Sequence, residues 1–126
     1  MLEIQEKLTS DGYDELRKAA GSAELHITEA LDRNEVIGFI AYSYGAEKTV
    51  VYDYDDCGDI MLCDGLVRSV MLKSVLKGIN HMLFELPDDT KYENLRKLRF
   101  ISADSRQCGD LERFMNGCQH CKNNKE

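Results

Sequence analysis

The stretch EVIGFIAYSYGAEKTVVYDYDD, residues 35–56, decides the fold class of this chain. Two runs rich in β-branched and aromatic residues, 35–44 and 49–54, lie on either side of a short turn sequence at 45–47. Such runs around a short turn predict two antiparallel strands. A third run of this type, 23–31, precedes them across the turn sequence Asp-Arg-Asn, so the pattern predicts a three-stranded antiparallel meander.

The spacing of the apolar residues becomes helical after residue 58. Asp59 is a candidate N-cap, and the helix is predicted to run to Gly78 along an apolar stripe formed by Ile60, Cys63, Val67, Val70 and Met71. A second apolar stripe is predicted on the far side of this helix, at Leu62, Leu72 and Leu76. A helix that is apolar on both sides is either sandwiched or part of an interface, so these three leucines are a candidate homodimer surface.

Weaker patterns surround this central part. Before it we expect a short strand at 1–4 and a helix at 13–20, capped by Ser10 or Asp11 and ended by Gly21. After it we expect a buried strand at 81–86, a helix up to residue 98 capped by Asp88 or Asp89, a last strand at 100–103 and a short helix at 110–116. This order predicts one α+β domain, residues 1–121, with a short polar tail at 122–126. Its central sheet is expected to be mostly antiparallel, with one parallel join where the long helix crosses back, and with flanking helices.

Composition excludes several classes of function. The chain has 126 residues and a net charge of -7, which suits one domain and argues against binding nucleic acid or an anionic membrane. Its longest apolar run is far shorter than the ~20 residues that cross a bilayer. The first residues, MLEIQEKL, carry charges where a signal peptide is apolar, so we expect a cytoplasmic protein.

The order of elements, with the segments EVIGFIAYS, TVVYDYDD, HMLFEL and YENLRKLRF, resembles the GNAT acyltransferase superfamily over residues 23–102. The resemblance implies a GNAT-like fold and an N-acyltransferase that transfers the acetyl group of acetyl-CoA to a small-molecule or peptide amine. In that superfamily the coenzyme pyrophosphate lies on the N-terminus of the long helix. The corresponding cofactor-binding residues here are Tyr54, Asp56, Cys57, Gly58, Asp59 and Ile60.

The charge of this loop argues against the implied cofactor. The superfamily marks the loop with an Arg/Gln-x-x-Gly-x-Gly/Ala motif, whereas the present loop has one glycine and no arginine. No Lys, Arg or His stands between Lys48 and Arg68, and the same interval contains five aspartates. Pyrophosphate binding is therefore disfavoured unless basic side chains arrive from elsewhere in the chain. The alternative is a catalytically inactive GNAT-like scaffold that acts as a binding or dimerisation module.

Two residues are the candidates for catalysis. Glu85 lies in a strand that we expect to be buried, where a carboxylate must find a partner or have a raised pKa, and it is a candidate general base. Tyr92 is a candidate proton donor for the leaving thiolate, although a half-buried packing residue is the simpler interpretation. The position of the tyrosine that the superfamily often uses is Leu95, and the glycine of the same passage is Arg99. Three further carboxylates and imidazoles are weaker candidates that we expect to be solvated, namely His26, Asp53 and Asp55.

The cysteines near the C-terminus suggest a separate chemistry. Cys118 and Cys121 form a Cys-x-x-Cys pair, and Cys108 precedes it by ten residues. Together these three are candidate ligands for zinc, which takes four Cys or His ligands. A redox pair and simple reduced thiols are the alternatives.

Overall fold

The computed structural model of the chain describes residues 2–115. Within them are six strands and three helices, followed by a helical segment at 111–115. The strands are β1 (Leu2–Glu6), β2 (His26–Asp32), β3 (Glu35–Tyr44), β4 (Thr49–Asp55), β5 (His81–Phe84) and β6 (Gln107–Gly109). The helices are α1 (Asp14–Ala20), α2 (Ile60–Leu76) and α3 (Thr90–Lys97).

All six strands form one sheet in the order β1-β2-β3-β4-β5-β6. Every neighbouring pair is antiparallel except β4 and β5, which are parallel because α2 carries the chain back across the sheet between them. The predicted turn between β2 and β3 is a tight one, with Arg33 and Asn34 both in the left-handed region at φ 56° and 71°. The predicted α+β class and the single parallel join are thus confirmed.

Helix α2 fills one face of the sheet. The residues of its predicted inward stripe from Cys63 to Met71 are buried, and they pack against the side chains of β3, β4 and β5. Gly38 of β3 permits this close approach, because a Cβ there would lie 2.5 Å from the Asp55 carbonyl oxygen and 3.0 Å from Leu62 Cδ2. Helix α1 covers part of the other face with a smaller cluster that includes Ala20, Ile27 and Tyr52.

Leu62 does not belong to the predicted outer stripe of α2. It is 5% exposed and packs over Gly38, whereas Leu72 and Leu76 are 49% and 77% exposed. The outer face of the helix carries Met61 instead, at 71% exposure. The interpretation of Leu62 was wrong because its side chain reaches inward, through the space that a glycine leaves on the facing strand.

The last strand lies later than predicted. Residues 100–103 are not a strand. Phe100 and Ile101 are instead buried at the point where the chain leaves α3. The strand forms at Gln107–Gly109, where Cys108 lies opposite Met82 of β5. Periodicity alone did not distinguish two apolar residues at a helix end from a short edge strand.

The cap of α1 also differs from the prediction. The N-cap position is Tyr13, whose side chain makes no capping bond. Ser10 and Asp11 lie one turn too early, because Gly12 at φ 91° reverses the chain and the Tyr13 N–H donates to the Ser10 carbonyl. Within residues 2–115, none of the helices is both long and apolar enough to cross a bilayer.

Candidate functional site

Strands β4 and β5 separate part of the way along the sheet. Their pairing extends as far as Val51 and Phe84, and the Glu85 N–H donates to the Val51 carbonyl at 2.8 Å. Beyond this point β4 continues to Asp55, while β5 ends. The end of β4 therefore runs beside a fork in the sheet and leads through a short loop, residues 56–59, into α2.

Aspartates at 55–59 accept hydrogen bonds from backbone N–H groups of the loop and of the first turn of α2. The Cys57 N–H donates to Asp55 Oδ1 at 2.9 Å, and the Gly58 N–H donates to Asp56 Oδ1 at 3.0 Å. The Met61 N–H donates to Asp59 Oδ1 at 2.9 Å, which confirms Asp59 as the N-cap. Two N–H groups of the loop before α2 and one N–H group of its first turn are thus bound to carboxylates of the protein itself.

A lysine from α3 crosses the fork. Lys91 Nζ lies 2.7 Å from Asp53 Oδ1 and 2.7 Å from the Tyr54 carbonyl oxygen. In return the Tyr54 hydroxyl donates to the Lys91 carbonyl at 2.6 Å. Asn94, one turn further along α3, donates from Nδ2 to Asp56 Oδ2 at 3.0 Å. A basic side chain does arrive from elsewhere in the chain, but the carboxylate and the carbonyl of β4 already bind it.

This contact corrects the expectation for Asp53. We expected a solvated carboxylate, but the Asp53 side chain is only 17% exposed and is paired with Lys91. Asp55, in contrast, is exposed. The third weaker candidate, His26, lies on β2, and its Nδ1 is 2.9 Å from Glu6 Oε2 of β1.

Two titratable groups beneath the fork do not ionise near neutral pH. Tyr54 is buried, and burial, reinforced by the neighbouring Cys63, raises its pKa well above the ordinary value. Burial also raises the pKa of the Cys63 thiol to about 11. A thiol of that pKa is a core residue rather than a nucleophile, because only the thiolate reacts.

Glu85 lies at the fork and is exposed, contrary to the expectation of a buried carboxylate. Met82, Phe84 and Leu86 alternate with it and point into the core, so Glu85 points away from the core. The strand that we expected to be buried throughout is buried on one face only.

Tyr92 is buried, with 1% of its surface exposed. Its hydroxyl donates to the Phe84 carbonyl at 3.0 Å and accepts the Leu86 N–H at 2.9 Å. These two bonds hold the chain where it leaves β5. The geometry favours the packing interpretation of Tyr92 over that of a proton donor, because a donor to substrate needs a hydroxyl that faces a cleft.

Of the predicted metal ligands, the structure describes only Cys108. It is 4% exposed, and burial raises the pKa of its thiol to about 11. Cys118 and Cys121 lie outside the described residues. Within 2–115, no group of three or more His, Cys, Asp or Glu side chains is arranged to hold a metal ion. The zinc site stays a prediction.

Sequence reasoning missed Lys91 and Asn94. Both lie in the first turns of a short helix, where a lysine and an asparagine are ordinary surface residues. The one available signal was the excess of aspartates in 53–59, which requires a cation from another part of the chain if any of them is buried.

The comparison with known proteins rests on structure. No protein-family model matches the chain, and no curated protein is significantly similar in sequence. A ribosomal-protein-alanine N-acetyltransferase from Brucella melitensis matches with a TM-score of 0.61 and 11% identity, covering 82% of this chain and 94% of its own. A GNAT family acetyltransferase from Elizabethkingia anophelis, solved with acetyl-CoA bound, matches with a TM-score of 0.59 and 16% identity over 86% and 92%. An aminoglycoside acetyltransferase from an uncultured soil metagenomic sample matches at 0.56 and 14% over 78% and 85%.

These three proteins share the architecture of the chain along nearly their whole length, although few residues are identical. The chain therefore has the fold of the GNAT acetyltransferase superfamily.

Proposed function

We propose that this protein is a binding module on the GNAT fold, and that it does not use acyl-CoA as its acetyltransferase neighbours do. One observation carries the proposal: Asp55 and Asp56 bind the Cys57 and Gly58 N–H groups of the loop that leads into α2, and Asp59 binds the Met61 N–H in the first turn of the helix. A coenzyme pyrophosphate needs those N–H groups. The residues present at this site therefore do not fit a coenzyme diphosphate.

The energetic balance favours the protein's own carboxylates. A diphosphate that displaces the three aspartates exchanges one set of charge-assisted hydrogen bonds for another, so it gains little from the N–H groups themselves. The positive end of a helix offers it only about 0.3–1 kcal/mol in exposed sites. The displaced carboxylates remain within the ~8 Å screening length, so they then repel the ligand.

An N-acyltransferase acting on an amine is the second candidate, and the fork favours it. Among residues 2–115, β4 has no partner strand on the β5 side beyond Val51, and Glu85 is exposed beside the opening. An exposed carboxylate at such a place is able to take a proton from an amine that approaches it. For this function Lys91 has to leave Asp53 and the Tyr54 carbonyl, so that an acyl-CoA chain can enter the fork.

For the binding module, the partner that fits best is a second copy of the chain. Helix α2 exposes Met61, Leu72 and Leu76, and Ile4 of β1 lies beside the same helix, 3.4 Å from the position of a Cβ on Gly65. We call these four residues the β1–α2 surface. Large exposed apolar residues on one face mark an interaction surface.

The free edge of β1 supports a symmetric contact. The Lys7 N–H donates to the Ile27 carbonyl, and the register with β2 then leaves the N–H and C=O groups of Leu2, Ile4 and Glu6 pointing out of the sheet. Pairing two β1 strands about Ile4 sets Glu3 opposite the partner's Gln5 and Leu2 opposite the partner's Glu6. No like charges then face each other across the contact.

Titration with acetyl-CoA tests the first part of the proposal. A ligand at 100 times its dissociation constant adds about 2.7 kcal/mol to stability, a change that thermal unfolding detects easily. We expect no shift with millimolar acetyl-CoA. A saturable shift, together with thiol release in the presence of a panel of amines, supports the acyltransferase instead.

Analytical ultracentrifugation tests the second part. We expect a concentration-dependent dimer that Ile4→Pro and Leu72→Glu each weaken. Proline is tolerated at Ile4 because the N–H that it removes points away from β2. Glu15→Gln, an exposed change on α1, is the control and leaves the dimer intact. A wild-type protein that is monomeric at every concentration rules out the second copy.

A further inference from the structure

The end of α3 is closed by its own backbone. The Arg99 N–H donates to the Arg96 carbonyl at 3.0 Å, and the Phe100 N–H donates to the Leu95 carbonyl at 3.0 Å. This pair of bonds is a Schellman motif, in which Arg99 occupies the left-handed position with φ 68°. The Leu95 and Arg96 carbonyls at this helix end are therefore satisfied by the backbone.

Arginine is conformationally unfavourable at that position. Glycine is usual there because a side chain in the left-handed conformation brings its Cβ close to the following carbonyl. No hydrogen bond or ion pair of the Arg99 side chain occurs among residues 2–115. No contact within the described part of the fold therefore offsets the strain of Arg99 in this conformation.

A cavity lies beside this residue. Its volume is about 490 Å³, and it is lined by Arg96, Arg99, Phe100, Ile101, Ser102 and Ala103. Phe100 and Ile101 are buried and expose little surface to the cavity, whereas Ala103 is an exposed apolar residue of its lining and the two arginines make it cationic. Arg96 likewise makes no side-chain ion pair within 2–115, in a chain whose net charge is -7.

We propose that this cavity binds a phosphate monoester of an aromatic or similar apolar group. Two guanidinium groups match the charge of a phosphate dianion and present forked donors to its oxygens. The Ser102 hydroxyl adds one further donor. The ester group lies against Ala103, an exposed apolar residue of the lining.

A simpler role for these cations is to oppose the negative end of the helix dipole. Arg96 and Lys97 lie in the last turn and serve that role. Arg99 lies beyond the last turn, and the effect of the dipole falls off within that turn, so the dipole does not explain an arginine at this position. Lys97 carries the same charge but does not line the cavity, which makes it the matched control.

The inference does not depend on the proposed function. The cavity is lined by residues from 96–103, whereas the N–H groups bound by aspartates belong to residues 57–61. Acetyl-CoA binding and self-association can both fail without affecting it. Failure of phosphate ester binding likewise leaves the acetyl-CoA and self-association results unaffected, so the two proposals are tested independently.

The test is an NMR titration of the ¹⁵N-labelled full chain with phenyl phosphate, inorganic phosphate and phenol. We expect phenyl phosphate to shift the amides of residues 96–102 saturably, inorganic phosphate to bind more weakly, and phenol to have no saturable effect. Arg99→Gly and Arg96→Ala are expected to weaken phenyl phosphate by about tenfold or more, because each removes charge-assisted hydrogen bonds. Lys97→Ala is expected to bind as the wild type does.

Arg99→Gly keeps the test informative, because glycine suits the left-handed position and the variant is expected to fold and to melt at a higher temperature than the wild type. Undiminished binding of phenyl phosphate by Arg99→Gly overturns the proposal. So does phenol binding as tightly as phenyl phosphate, or the absence of any saturable shift in the wild type.

Discussion

At the start of α2, Asp55, Asp56 and Asp59 bind backbone N–H groups of their own loop, whereas at the end of α3 the side chains of Arg96 and Arg99 have no ion-pair partner among residues 2–115. The helix start has the geometry of an anion site, but the anions that occupy it belong to the protein. The helix end is closed by backbone bonds, and its cations are unused.

This comparison shows that the charge of a segment does not by itself indicate a ligand. What matters is whether the fold already supplies a counter-charge or a hydrogen-bond partner. The aspartates look reactive in the sequence and are satisfied in the structure. The arginines look like ordinary helix-end residues in the sequence, yet within the described residues they are the less satisfied group.

The largest effect on stability is expected from removing the lysine that pairs with Asp53. Lys91→Met removes the ammonium group that binds Asp53 and the Tyr54 carbonyl, and it leaves a carboxylate of 17% exposure without its cation. We expect the free energy of unfolding to fall by about 2–3 kcal/mol in urea denaturation. Lys97→Met, on the exposed side of the same helix, is the control. Equal losses in the two variants would show that the Lys91 contacts do not stabilise the fold.

A smaller effect is expected from a single cap. Asp59→Ala removes the acceptor for the Met61 N–H and should cost about 1 kcal/mol. Asp59→Asn keeps an acceptor and should cost a few tenths of a kcal/mol at most. Urea denaturation of both variants separates the hydrogen bond from the charge. If Asn is as costly as Ala, the charge rather than the bond is what stabilises the start of α2.

At the basic end of α3, residues 96–99, a substitution is expected to raise the free energy of unfolding rather than lower it. Arg99→Gly relieves the left-handed conformation at φ 68° and should raise the free energy of unfolding by about 0.5–1 kcal/mol, after the greater freedom of glycine in the unfolded chain is subtracted. Thermal and urea unfolding measure this gain. A loss of stability would mean that the Arg99 side chain holds the helix end, and the contrast between the two regions would disappear.

The smallest effect concerns the other end of α3. Asp88 Oδ1 accepts the Thr90 N–H and the Thr90 hydroxyl, and these bonds hold the pKa of Asp88 below its ordinary value of 3.8. A depressed pKa contributes stability that is complete above the ordinary value and is lost as the pH falls through the lower, folded value. We expect Asp88→Asn to flatten the decline in stability below about pH 4. Asp89→Asn, whose side chain makes no capping bond, should leave that decline unchanged.

The sequence was sufficient to predict the fold where pattern and geometry coincide. The meander of β2, β3 and β4, the N-cap at Asp59 and the parallel join are consequences of strand alternation, turn residues and helical spacing. It was insufficient where a distant element decides the environment. Leu62 is buried because Gly38 leaves room for it, and Asp53 is paired because α3 brings Lys91 to it. Neither contact is visible in a local pattern.

The most direct measurement is calorimetric titration of acetyl-CoA into the wild type and into the triple variant Asp55→Asn, Asp56→Asn, Asp59→Asn. Asparagine replaces three charge-assisted bonds to the N–H groups by weaker neutral ones and removes three negative charges, so a diphosphate is able to displace it. The triple change Glu15→Gln, Glu24→Gln, Glu112→Gln controls for net charge. We predict no binding by the wild type or the control and measurable binding by the Asn variant. Equal, tight binding by the wild type and the Asn variant would contradict the account, because the aspartates would then not keep the coenzyme out.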